Sequence, residues 1–152
     1  MPDGDAAVPP SQSLAGLRVC FLRASSIQFD KRTQQMARTL AGHGAVVRVV
    51  GVRAGTESFA AHDVFSSVEI APQPPSTHPA RIARVAANVR REAWIISEMI
   101  REARRFEPHV IHCMNVQTLY AGARAARGRA FVYDSREHFA STGSVSRNVR
   151  RW

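Results

Sequence analysis

"GLRVCFLRASSIQFDKRTQQMARTLAGHGAVVRVVGV", residues 16 to 52, sets one helical pattern between two apolar runs, and that alternation decides the fold. "LRVCFL" (17–22) is nearly continuous in apolar residues, the pattern of a strand covered on both faces in a parallel sheet. Asp30 stands where a helix N-cap accepts backbone N–H groups, and Thr33, Met36, Ala37 and Leu40 follow at i, i+3, i+4 and i+7. "GHG" (42–44) ends that helix and "AVVRVVGV" (45–52) supplies a second strand. In this order the three elements make a right-handed βαβ unit.

The pattern continues outward. Residues 53–66 are ambiguous, "SVEI" (67–70) fits a short third strand, and the four prolines of "APQPPSTHP" (71–79) make a connector. From Ala80 to Phe106 one apolar stripe at helical spacing (Ile82, Val85, Ala86, Val89, Ala93, Ile96, Met99, Ile100, Ala103, Phe106) predicts a long amphipathic helix that stops before Pro108. "HVIHCMN" (109–115) reads as a fourth strand, "VQTLYAGARAARG" (116–128) as a short helix and "RAFVYD" (129–134) as a fifth strand. The closing "STGSVSRNVRRW" has the look of a helix beginning at Ser144 or Ser146. The expectation is an α/β protein with an open parallel, doubly wound, Rossmann-like sheet. In such sheets ligands bind beyond the carboxyl ends of the strands, so "RASSIQF", "GVRAGTE", "CMNVQT" and "DSREHF" are expected along one edge.

Composition narrows the function. With 152 residues, 45% hydrophobic and 22% charged, the chain has the proportions of one globular domain, and no apolar run nears the roughly 20 residues of a membrane span. Residues 1–15, acidic and Pro-rich, lack the basic start and apolar middle of a secretory signal and read as a disordered leader before a domain at 16–152. Cys20 and Cys113 lie in apolar runs without CxxC spacing, which suits reduced, buried thiols in the cytoplasm. The net charge of +9 comes from 20 Arg and one Lys, and the surplus lies in residues 77–152, with fourteen basic side chains against six acidic ones. That surplus suits phosphate groups or an anionic membrane surface. The Arg face of the long helix reads either as a solvated surface or as a contact for anionic lipid headgroups. Aromatic content of 7% without basic–aromatic interleaving gives no nucleic-acid signal.

The loops also exclude chemistry. Residues 23–29 contain no glycine, so neither GxGxxG nor a P-loop is built there, and Arg23 occupies the place where a receiver domain needs acidic magnesium ligands. His109 and His112 point to opposite faces of a strand and do not share an ion with Cys113, so no metal site is expected. Ser135 lacks the flanking glycines of a nucleophile elbow. His112 and Asn115 at the rim of the fourth strand suit hydrogen bonds to ligand hydroxyls, or else order their own loop. In "DSREHF", Asp134 is expected to cap the turn. Arg136 suits phosphate or carboxylate, Glu137 suits sugar hydroxyls, and His138 can exchange protons near neutral pH; the alternative is an Arg–Glu pair that holds the loop.

With the elements placed, the chain resembles the N-terminal domain of GT-B glycosyltransferases of the family-four type. Residues 16–52 resemble its opening βαβ unit, where a D-x-R pattern (here Asp30 and Arg32) starts a helix. "PHVIHCMNVQTLYAGARAAR" (108–127) is similar to its "PDVVHAHDxxTLxAGxxAAR" segment, and "AFVYDSREHF" (130–139) to "PLVYDSHELF". His112 and Glu137 match that pattern, while Met114 and Asn115 stand in place of His-Asp and Arg136 in place of His. The resemblance implies transfer of a sugar from a nucleotide-sugar donor, with this domain handling a sugar or lipid-linked acceptor through His112, Asn115, Arg136 and Glu137, closed by Ser25 and Ser26. No residue is assigned a catalytic role. The family's domain continues through further strands to a second Rossmann-like donor domain, so the chain reads as incomplete at its C-terminus. It is expected to bind no cofactor itself, to be inactive alone, and to pair with a separate donor-domain chain. The rival readings are a non-catalytic binding or assembly module and a basic membrane-surface protein.

Overall fold

The computed structural model describes residues 13–28, 30–53 and 64–134. Its elements are β1 (Arg18–Leu22), α1 (Lys31–Gly42), β2 (Val46–Val52), β3 (Ser66–Ile70), α2 (Arg81–Phe106), β4 (Val110–Cys113), α3 (Leu119–Ala126) and β5 (Ala130–Tyr133). A single 3₁₀ turn, Val116–Thr118, leads into α3 where the sequence reads as one continuous helix. The strands form one sheet in the order β3-β2-β1-β4-β5, and every pairing is parallel. This is the expected open, Rossmann-like α/β sheet, with its topological switch between β1 and β4. The expected leader, the closing helix start and "SREHF" lie outside the described residues.

Alternation along the strands separates two cores. Val19, Phe21, Val47 and Val49 face α1 and pack with Ile27, Ala37 and Met114. Cys20, Leu22, Val50, Ile111 and Cys113 face α2 and α3 and pack with Ile95, Met99, Ala103 and Phe106. α1 begins where the sequence places it, since the Asp30 carboxylate accepts the Thr33 N–H at 3.2 Å and also holds the Thr33 hydroxyl and the Arg23 guanidinium. α2 ends at Glu107, whose left-handed φ of 52° turns the chain into the buried Pro108.

The long helix departs from its expected stripe. The side chains that bury are Ile95, Met99, Ala103 and Phe106, whereas Ile82, Val85 and Val89 are 86%, 54% and 62% exposed. Length explains the difference. A five-residue strand is about 17 Å long, and the helix from Ile95 to Phe106 covers about that distance. Phe106 is fixed at the amino end of the sheet, with its carbonyl bonded to the Arg18 side chain and its ring between the Arg18 and Arg48 guanidinium groups at 4.8 and 4.7 Å. α2 runs antiparallel to the strands, so residues 81–94 extend about 20 Å past their carboxyl ends.

Candidate functional site at the carboxyl edge of the sheet

The strands stop in step. Arg23, Arg53, Met114 and Asp134 are the first residues past β1, β2, β4 and β5. Each backbone N–H still bonds a neighbouring strand, to Val50 O (2.9 Å), Ile70 O (2.7 Å), Leu22 O (3.0 Å) and Cys113 O (2.9 Å) respectively. The loops that follow therefore start from one level edge.

The loop after β1 folds back over β2. Val52 N–H donates to Ser25 O at 3.2 Å, and a Cβ on Gly51 would lie 2.5 Å from Ile27 Cγ1, so the close approach requires glycine there. Ser25 is exposed at this edge. Ser26 is buried, and its hydroxyl accepts the Gln28 N–H at 3.2 Å, which orders the turn. The two serines thus face different surroundings.

Within β4, His112 is half-buried and its ring stacks on Phe21 of β1 at 5.0 Å, on the α1 side of the sheet. His109 sits at the opposite end of the strand, where its Nδ1 accepts the Arg18 N–H at 3.1 Å. Among the described residues no three of His, Cys, Asp and Glu come together as metal ligands. Met114 is fully buried in the α1-side core, so the next residue, Asn115, is the one that reaches the rim. Its carbonyl accepts the Thr118 N–H (3.1 Å) and hydroxyl (2.8 Å), while its buried Oδ1 has no hydrogen-bond partner among the described residues. Asp134 pairs with Arg32 of α1 at 3.2 Å, which ties the end of β5 to the first turn of that helix. Arg136 and Glu137 lie outside the described residues.

At the switch point these loops and α2 enclose a pocket of about 330 Å³. Ala24 and Val52 come from the β1 and β2 ends, Gln117 from the turn after β4, and Arg91, Glu92 and Ile95 from α2. Arg91 is also shared with an open groove of about 750 Å³ between α2 and the connector, lined by Gln73, Pro74, Ser76, Arg90 and Trp94. Its Nε donates to Gln73 O at 2.8 Å and its guanidinium pairs with Glu92. Ser76 N–H donates to Asn88 Oδ1 at 2.9 Å, so the connector is bonded along the overhanging helix. The smaller pocket combines a guanidinium, a carboxylate and an amide over an apolar floor, a set that can bond hydroxyls and anionic groups. Arg91, Glu92 and Gln117 are absent from the residues the sequence singles out. The signal for the first two was the excess length of the helix over the strands.

The arrangement defines a class: an α/β protein with a five-stranded parallel sheet and a pocket at its topological switch point. No protein-family model matches the chain, and no curated protein matches it.

Proposed function

We propose that the chain is the acceptor-side lobe of a GT-B, family-four-like glycosyltransferase, taking part in sugar transfer from a nucleotide-sugar to a sugar or lipid-linked acceptor. The observation that carries this reading is the pocket at the β1/β4 switch point. The segments that resemble the family form β1-α1-β2, β4-α3 and β5, and residues at the ends of β1, β2 and β4 (Ala24, Val52, Gln117) line that pocket. Gln117, Arg91 and Glu92 line the pocket and supply groups for acceptor hydroxyls, with Asn115 and Ser25 on the adjoining rim and His112 on the α1 side of β4. In this reading Arg136 and Glu137 complete the site, a separate lobe binds the donor, and the protein works in the cytoplasm with Cys20 and Cys113 as free, buried thiols.

Saturation-transfer NMR with a panel of free sugars and lipid-linked sugars tests it. The expected result is a saturable sugar ligand whose affinity falls about tenfold, or roughly 1.4 kcal/mol, in Asn115→Ala and Gln117→Ala. A panel without a saturable ligand, or one whose binding ignores both substitutions, would overturn the proposal.

A second reading is an assembly module, and β5 favours it. Phe131, Val132 and Tyr133 are all exposed on a strand that pairs only with β4 among the described residues, so a partner strand can add there. Sedimentation velocity discriminates: this reading requires self-association, or association with a donor-lobe chain, that Val132→Lys abolishes.

A further inference from the structure

We infer that the overhanging half of α2 is a docking surface for an anionic lipid bilayer. The observation is the exposed stripe of Ile82, Val85 and Val89, continued by exposed Ala86 and Ala93. At 100° per residue these five positions fill an arc about 100° wide, the width of an amphipathic helix face. Elsewhere in the molecule a stripe of this kind is covered: Ile95, Met99, Ala103 and Phe106 on the same helix bury against the sheet.

Charge identifies the occupant. Residues 81–94 carry Arg81, Arg84, Arg90 and Arg91 against Glu92 alone. On the helical wheel Arg81 and Arg90 flank the apolar arc, one on each side, and neither has an ion-pair partner among the described residues, while Glu92, on the Arg81 side at the base of the overhang, is paired with Arg91. Arg84 and Arg91 instead hold the connector, through His78 O at 3.2 Å and Gln73 O at 2.8 Å. Apolar residues bordered by free guanidinium groups match an interfacial helix, whose side chains enter the acyl boundary while its arginines meet anionic headgroups.

The other occupants fit less well. A stripe about 20 Å long and one helix face wide offers on the order of 200 Å², well below the roughly 800 Å² per partner of a stable protein interface. No helix among the described residues is long and apolar enough to cross a membrane, so the mode is contact with the surface.

Co-sedimentation with vesicles of equal parts phosphatidylglycerol and phosphatidylcholine, against phosphatidylcholine alone, tests the inference. Binding is expected to the anionic vesicles and to weaken as salt is raised. Arg81→Gln and Arg90→Gln are each expected to lower partitioning about fivefold, and Val89→Asp more than tenfold. All three positions are exposed, and circular dichroism is expected to show unchanged folding. Equal binding to neutral vesicles, no binding at low salt, or variants that bind like the parent would overturn it. So would a concentration-dependent dimer lost in Val89→Asp, which would make a second copy the occupant. The vesicles carry no sugar, so the outcome is independent of whether the pocket binds an acceptor.

Discussion

The two halves of α2 share one helix and one apolar periodicity, yet they live in different solvents. From Ile95 to Phe106 the helix is seated on β1, β2 and β3, where Met99 and Ala103 are essentially inaccessible to water. From Arg81 to Trp94 the stripe meets no sheet, because the strands have already ended. The difference teaches that periodicity marks candidate apolar positions, while the length and placement of the neighbouring elements decide which of them are covered.

The comparison can be broken most directly at its seated end. Met99→Ala removes a fully buried side chain and is expected to cost about 2–5 kcal/mol in chemical denaturation. A loss below about 1 kcal/mol would mean that the seated half is not core.

Alkali probes the same core from beneath. Burial pushes the Cys20 thiol up to about 12, with Cys113 adding and Arg48 opposing, and it pushes Cys113 up to about 11 against hydrogen bonds from Thr118 and Gly122. An unfolded chain ionises these thiols near the ordinary value of 9.0, whereas the folded chain keeps them neutral. Their contribution to stability is therefore intact below pH 9 and is lost as pH rises toward 11–12. By pH 10 the expected loss is about 1.4 kcal/mol for each thiol, measured by urea unfolding across that window. The loss should be absent for a Cys20→Ala, Cys113→Ala double variant.

Gly122 sharpens the picture on the α3 side, which packs against the seated half. A Cβ there would lie 2.2 Å from Cys113 Sγ and 2.6 Å from Phe131 Cε2, so Gly122→Ala is expected to destabilise by about 1–3 kcal/mol despite its better helix propensity. A stabilised variant would show that α3 can lift without cost.

At the other extreme, Val89→Ala on the overhang is expected to change stability by no more than about 0.5 kcal/mol. A loss like that of Met99→Ala would refute the contrast outright.

Much of the fold was legible. The Asp30 cap, the strands at β1, β2, β4 and β5, and the parallel arrangement all follow from local pattern, because caps and apolar runs are set by residues close in sequence. β3 was also visible, one residue shorter than observed. Which part of the stripe would seat was not, since Ile95 lies off the expected stripe and Val89 lies on it. The rim position of Asn115 follows from strand length, but the place of His112 inside β4 against Phe21 and the pairing of Asp134 with Arg32 depend on contacts between distant segments. The pocket lining by Arg91 and Glu92 depends on the angle and overhang of a helix, which no single segment encodes.

The strand order carries a consequence for assembly in time. β1 pairs with β2 through Arg18 and Val46, close along the chain, but with β4 through Val19 and Val110, much farther apart. Closing the longer loop costs more chain entropy, so β1, β2 and β3 are expected to form first and β4 to dock last. Pulsed hydrogen exchange during refolding would then protect β2 amides before those of β4. Until that docking step, the apolar edge of Val19 to Leu22 stands open, and during synthesis it is the surface a chaperone would have to shield.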